Sequence, residues 1–193
     1  MIVVRGCWFY GPPGCGKSHC ARWLERWRGF RYIDGDTFLP YDMLECLHEG
    51  NSFNDEQRER FARILIEKIR IYTYEPVAIA QAMLLRKHRD LIKAAHPGLV
   101  FILVTADENV VKQRLGQGTN LVNQHLGASM RSILEIDHRD PILHNTCSAS
   151  ATGEKTEVGG SSLFADKDTA EISLHPSVVQ SLDSILEQAS LIP

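Results

Sequence analysis

What this chain lacks narrows its function first. Its 193 residues contain no run of 18 apolar residues, so no segment is expected to cross a bilayer as a helix. Met1-Ile2-Val3-Val4-Arg5-Gly6 has neither the basic start nor the uninterrupted apolar stretch of a secretory signal. A soluble, cytoplasmic protein is the expectation. Charge of one sign is also missing: 21 Lys and Arg stand against 24 Asp and Glu, a net charge of -3. No broad field draws in nucleic acid or an anionic membrane, so any anion must be held locally. The five cysteines (Cys7, Cys15, Cys20, Cys46, Cys147) are odd in number and show no CxxC or zinc spacing, which leaves reduced thiols as the default. The eight histidines show no paired ligand spacing, and no structural metal is expected. Trp8, Trp23 and Trp27 have no basic patch around them and read as packing rather than as a base-stacking platform.

What is present is globular. Apolar residues make up 44% and charged residues 23%, close to the average of folded domains. The length suits one domain, 1–193. Val3 to Tyr10 reads as a buried strand halted at Gly11-Pro12-Pro13-Gly14. A helix is predicted from Lys17 to near Gly29 with Ala21, Leu24 and Trp27 on one face. Phe30 to Ile33 makes a short strand, Pro40 to His48 and Asp55 to Tyr72 two helices, and Val77 to Ala80 a strand. A helix over 86–95, the apolar strand Leu99 to Thr105, and helices at 107–115 and 122–135 follow. The segment 144–162, rich in Ser, Thr and Gly, is expected to be a flexible insertion. Ala170 to Leu174 reads as a last strand and Pro176 to Ala189 as a closing helix. The alternation β-α-β-α-α-β-α-β argues for a parallel sheet covered on both faces.

One motif carries chemistry. Gly11-Pro12-Pro13-Gly14-Cys15-Gly16-Lys17-Ser18 matches GxxxxGK[ST] in full and lies between a predicted strand and a predicted helix. Such a loop turns its backbone N–H groups towards phosphate oxygens, and the helix after it directs its positive dipole end to the same point. Lys17 would reach the β- and γ-phosphates of ATP and the Ser18 hydroxyl would hold Mg²⁺. Gly11 to Ser18 and the adjoining His19 form the expected nucleotide site. Cys15, beside the helix N-terminus, reads as a small loop residue. Downstream, Asp34 and Asp36 lie on one face of an acidic turn at a strand's C-terminal end. Carboxylates there can hold a metal's shell and orient or deprotonate an acceptor hydroxyl; Asp-Gly is equally an ordinary turn sequence.

These residues resemble the P-loop sugar-acid kinases of the gluconate kinase family, relatives of shikimate and adenylate kinases. The resemblance rests on the phosphate loop, the Tyr32-Ile33-Asp34-Gly35-Asp36 turn with Pro40 four residues on, and Gly50 followed by Asn54-Asp55-Glu56-Gln57-Arg58. It continues through Arg86-Lys87-His88-Arg89-Asp90-Leu91, the strand at 99–103 and Gln113-Arg114-Leu115. It implies a three-layer α/β/α P-loop fold with a mainly parallel five-stranded sheet, like that of nucleoside and shikimate kinases. It implies phosphoryl transfer from Mg-ATP to a hydroxyl of a sugar acid, gluconate first, giving 6-phosphogluconate, and it suits a homodimer. Asp36 would contact the acceptor hydroxyl, Asp34 would lie near the metal, and Arg58 and Arg89 are candidates for a substrate carboxylate or phosphate. Helices within 37–60 would bind the acceptor and 115–135 would form a lid.

The departures gather on the acceptor side. Leu39 stands where the family has His before the proline, Met43 and Cys46 where it has Asn and Lys, and Gln81-Ala82-Met83-Leu84-Leu85 where it has Cys-Ser-Ala-Leu-Lys. Polar contacts have become apolar. After Arg114 the lid has no cation until Arg131, so Arg114 is the candidate for stabilising charge on the transferred group. A nucleoside-monophosphate or shikimate-type kinase, and a nucleotide-binding module with weak catalysis, stay open on these residues.

Overall fold

The computed structural model describes residues 4–116, 124–145 and 172–192. Its sheet is built from β1 (Arg5–Tyr10), β2 (Arg31–Asp34), β3 (Val77–Ala80), β4 (Gly98–Thr105) and β5 (Ile142–His144). Every pairing is parallel and the order across the sheet is β2-β3-β1-β4-β5. Helices α1 (Lys17–Arg28), α2 (Tyr41–His48), α3 (Asp55–Ile69), α4 (Arg86–Ala95), α5 (Glu108–Gly116), α6 (Gln124–Ser132) and α7 (Pro176–Gln188) connect and cover it. None of the described helices is long and apolar enough to cross a membrane.

Period-two alternation divides β1 between two cores. Trp8 and Tyr10 face α2, α3 and α4, packing with Met43, Phe61, Leu65 and Ile92. Cys7 and Phe9 face α1 and α7, packing with Cys20, Leu24, Val178 and Leu182. A strand buried on both sides reads as the near-continuous apolar run seen in the sequence. Gly6 is required where β1 meets β3: its φ is 147° and a Cβ there would sit 2.0 Å from the Val77 carbonyl oxygen.

Most of the predicted elements form within a residue or two of their expected bounds, and three readings are corrected. Trp27 is not on the buried face of α1: it is 55% exposed, while Trp23 packs inside. The 172–174 part of the expected last strand is not strand, and residues 170 and 171 lie outside the described residues. The fifth strand is instead Ile142–His144, three residues long. His144 and Asn145 therefore do not begin a loose insertion; one closes β5 and the other is fully buried. The remainder of that expected insertion, 146–162, lies outside the described residues, as do 117–123 of the expected lid and Cys147.

Candidate active site

The phosphate loop leaves the C-terminal end of β1, where the chain's crossovers change direction: β3 lies on one side of β1 and β4 on the other. A crevice at such a switch point is the favoured ligand position in an open parallel sheet. Gly16, with φ 99°, is the N-cap of α1 and no side chain caps that end, so the first-turn amides remain available to an anion. A Cβ on Gly16 would lie 2.0 Å from Asn145 Nδ2, which donates to the Cys15 carbonyl oxygen at 3.1 Å. Asn145 thus braces the loop from β5. No motif marked it, because its partner is main chain 130 residues away.

Lys17 lies inside the loop, with Nζ donating to the carbonyl oxygens of Gly11 and Pro12 at 3.0 Å each. Arg114 reaches over from α5 and donates through Nη1 to the Gly14 carbonyl oxygen at 3.0 Å. Two cations expected at the phosphates are therefore both at the loop. The His19 imidazole turns away to the Ser173 carbonyl oxygen at 2.7 Å, leaving only its amide on the loop side. Cys15 is fully buried against the α1 and α7 core, as a small loop residue.

Across the crevice, Asp34 ends β2 and its Oδ1 accepts from the Asp36 amide at 3.1 Å. The Tyr32 hydroxyl donates to Asp34 Oδ2 at 3.3 Å and also meets Ser18. The two oxygen donors expected at the metal are therefore joined through a single phenol. Gln81 Nε2 donates to Asp36 Oδ1 at 3.3 Å. Solvent reaches Asp36, yet the protein crowded around its carboxylate, with Asp34 beside it, raises its pKa above the ordinary 3.8. A carboxylate so placed is a better proton acceptor than a free one.

Comparison with known proteins finds relatives in both sequence and fold. The chain is 24% identical over 139 residues to a probable gluconokinase of Schizosaccharomyces pombe, spanning 67% of this chain and 72% of that protein. Its structure matches a sugar kinase from Janibacter sp. HTCC2649 with a TM-score of 0.65 and 21% identity, over 73% of this chain and 84% of that one. It matches a gluconokinase from Sinorhizobium meliloti 1021 with a TM-score of 0.63 and 22% identity, over 75% and 84%. No family model matches the chain. The fold is that of the P-loop kinases.

Within this fold the region expected from the sequence to take the acceptor is apolar. Leu39 and Met43 belong to the α2–α3 core, Met43 with no exposure at all. Beside Gln81 a small cavity of about 40 Å³ is lined by Phe53, Arg58, Phe61, Met83, His88 and Met130 among others. Burial lowers the Arg58 pKa, with Asp55 and Cys46 opposing. Arg89 is not in that cavity and is not a solvated helix charge either. It is fully buried, donating to the carbonyl oxygens of Met83 at 2.9 Å, Leu84 at 2.8 Å and Glu135 at 2.5 Å, with its guanidinium 4.2 Å from the centre of the Tyr10 ring. Nη1 and Nη2 are thus engaged by main chain, while Nε, without a hydrogen-bond partner, stands 3.9 Å from the buried Asp140 carboxylate; of the two arginines considered for the substrate only Arg58 lines the cavity.

Proposed function

We propose that this chain is an ATP-dependent small-molecule kinase that moves the γ-phosphoryl group of Mg-ATP to a hydroxyl of a sugar acid or similar hydroxy acid. The observation that carries the reading is the gathering of Lys17 and Ser18 at the phosphate loop, with Arg114 of α5 bonded to that loop, opposite Asp34 and Asp36 at the end of β2. Gluconate is the acceptor suggested by the names of the relatives, and it is the first compound to test.

In this reading the loop amides and Lys17 hold the phosphates, and Arg114 adds positive charge where negative charge spreads in the transition state. Asp36 accepts the proton of the attacking hydroxyl, and Gln81 fixes the orientation of its carboxylate. Ser18 and Asp34 are hard oxygen donors gathered around one phenol, a set that fits Mg²⁺; bound there with the phosphates, the ion would neutralise their charge. The α6 side of the cavity, with Met130, and α2–α3 opposite it would exclude water from the transfer.

The test is ATP consumption by the purified chain with gluconate, other sugar acids, shikimate and nucleoside monophosphates, beside the Lys17→Ala variant. Acceptor-dependent turnover that falls at least ~10²-fold in Lys17→Ala is the expected result. Saturable Mg-ATP binding with no acceptor raising consumption above water-driven hydrolysis would leave a nucleotide-binding module in place of a kinase.

A further inference from the structure

The loop after β3 is held at every carbonyl from 81 to 84. Trp8 Nε1 donates to the Gln81 carbonyl oxygen at 3.3 Å, and the Gly11 amide of the phosphate loop to that of Ala82 at 3.2 Å. Arg89 Nη1 donates to those of Met83 and Leu84 at 2.9 and 2.8 Å, and the Glu135 amide also reaches Leu84. A loop so pinned cannot relax, and it carries a residue that relaxation would change. Met83 has φ 28°, in the left-handed region that a residue with a Cβ avoids. Ser190 is the other non-glycine residue with positive φ among the described residues, and it lies just past the end of α7, where that conformation is ordinary. Met83 has no helix end to account for it.

A single side chain ties this residue to the proposed proton acceptor. Gln81 Oε1 accepts from the Met83 amide at 2.6 Å, while Gln81 Nε2 donates to Asp36 Oδ1 at 3.3 Å. Gly35 lets Gln81 pass, since a Cβ there would stand 2.6 Å from Gln81 Cγ. With its amide fixed by Gln81 and its carbonyl by Arg89, Met83 cannot turn its side chain aside by rotating the main chain. It is 5% exposed and shares the cavity wall with Phe53, Phe61 and Met130. The space left is about 40 Å³, room for a water and not for an organic acceptor. Strain of this kind persists only where the surroundings over-determine it, and it gathers at functional sites.

We propose that Met83 is a specificity-determining residue that filters acceptors by length: clamped by Gln81 and Arg89, its side chain fills the cavity beside Asp36. A short acceptor reaches Asp36 from the solvent side, and a longer one is turned away for want of space behind it. Because Gln81 holds both Met83 and Asp36, the filter and the proton acceptor keep a fixed separation. The inference rests on the kinase reading for the ligand being a phosphoryl acceptor, whereas the filled cavity and the strained main chain are independent of it.

The test is titration calorimetry of the full chain with Mg-AMPPNP against 3-hydroxypropanoate, 4-hydroxybutanoate and 6-hydroxyhexanoate, which share both end groups and differ only in methylenes. In the unaltered chain affinity is expected to fall as the acid lengthens, a measurement that needs no variant. Met83→Ala and Met83→Gly are expected to bind 6-hydroxyhexanoate at least ~10-fold tighter than the unaltered chain does, the least that a misfit of one methylene costs, with the gain shrinking as the acid shortens. Exchanging Ala for Gly ordinarily lowers Tm, yet Met83→Gly is expected to melt at or above Met83→Ala, because only Met83→Ala keeps a Cβ at that φ. Affinity that does not fall with length in the unaltered chain, no gain for the longest acid, or an equal gain for all three overturns the filter. Met83→Gly melting below Met83→Ala overturns the strained clamp on which it depends. With Mg-AMPPNP still taken up, any of these results leaves the kinase reading untouched. Conversely, a length-dependent gain in a chain that takes up no nucleotide would uphold the filter and overturn the kinase.

Discussion

Asp36 is the residue on which chemistry and stability pull in opposite directions. Its pKa is raised by burial first and by Asp34 second, so it gives up its proton at a higher pH than an ordinary carboxylate. The acid limb of kcat/KM is expected to fall in that raised range, and Asp34→Asn, by removing the second cause, to move the limb to lower pH; a pH profile of the two proteins checks this. For stability the sign is reversed. A carboxyl whose pKa rises on folding favours the folded state when protonated, and that contribution is lost as pH climbs through the raised value. Asp36→Asn is therefore expected to abolish turnover while raising Tm at pH 7, with the gain vanishing as pH approaches 3.8, the ordinary value. Thermal melts across pH measure it. These two carboxylates could be found from their spacing and their place after a strand. Arg89 was visible only as a charge, because nothing in the sequence says that its partners are the carbonyls of Met83, Leu84 and Glu135. Arg89→Met is expected to cost about 3–5 kcal/mol, the range for stripping one partner from a buried ionic network, and Arg89→Lys to repair little of it.

Among the elements, β1 is the one that cannot move. It pairs with β3 and β4 over most of its length, and Gly6 allows the close approach to Val77. Gly6→Ala would force a methyl to within 2.0 Å of a carbonyl oxygen at a φ that L-residues avoid, and a loss on the order of 3 kcal/mol or more is expected by denaturant unfolding. Its strand character was plain in the sequence because both faces are buried. That of β5 was not: three residues with one buried side chain, Leu143, give no alternation to detect, and the strand exists because β4 offers Leu103, Val104 and Thr105 as partners. The segment after α6 is similar. Glu135 donates its amide to the Leu84 carbonyl oxygen at 3.0 Å, and its Oε2 accepts from the Arg86 amide at 2.6 Å, capping α4. The end of α6 is thereby stitched to the loop that carries Met83 and Leu84, so the two walls of the acceptor cavity are expected to shift together.

At the scale of the molecule, two cores sit on opposite faces of one sheet, and the second depends on the C-terminal helix. Val178, Leu182 and Leu186 of α7 pack against Cys7, Phe9 and Leu24, and Arg28 of α1 grips Asp183 with two hydrogen bonds, at 3.0 and 2.6 Å. Leu182→Ala is expected to cost about 2–5 kcal/mol and to lower Tm by about 3 °C per kcal/mol, with the acceptor preference unchanged because the cavity lies on the other face. That both faces are covered was legible from the alternation of strands and helices; which tryptophan of α1 points inward was not, since Trp23 and Trp27 are one turn apart and only packing separates them. Trp8 lies in the other core. Its ring stacks on Phe101 with centroids 5.3 Å apart, and its Nε1 donates to the Gln81 carbonyl oxygen at 3.3 Å, the residue that steadies Asp36. With Trp23 and Trp27 replaced by phenylalanine, the emission of this one indole would register the arrival of an acceptor without any dye attached, which makes the chain its own optical probe.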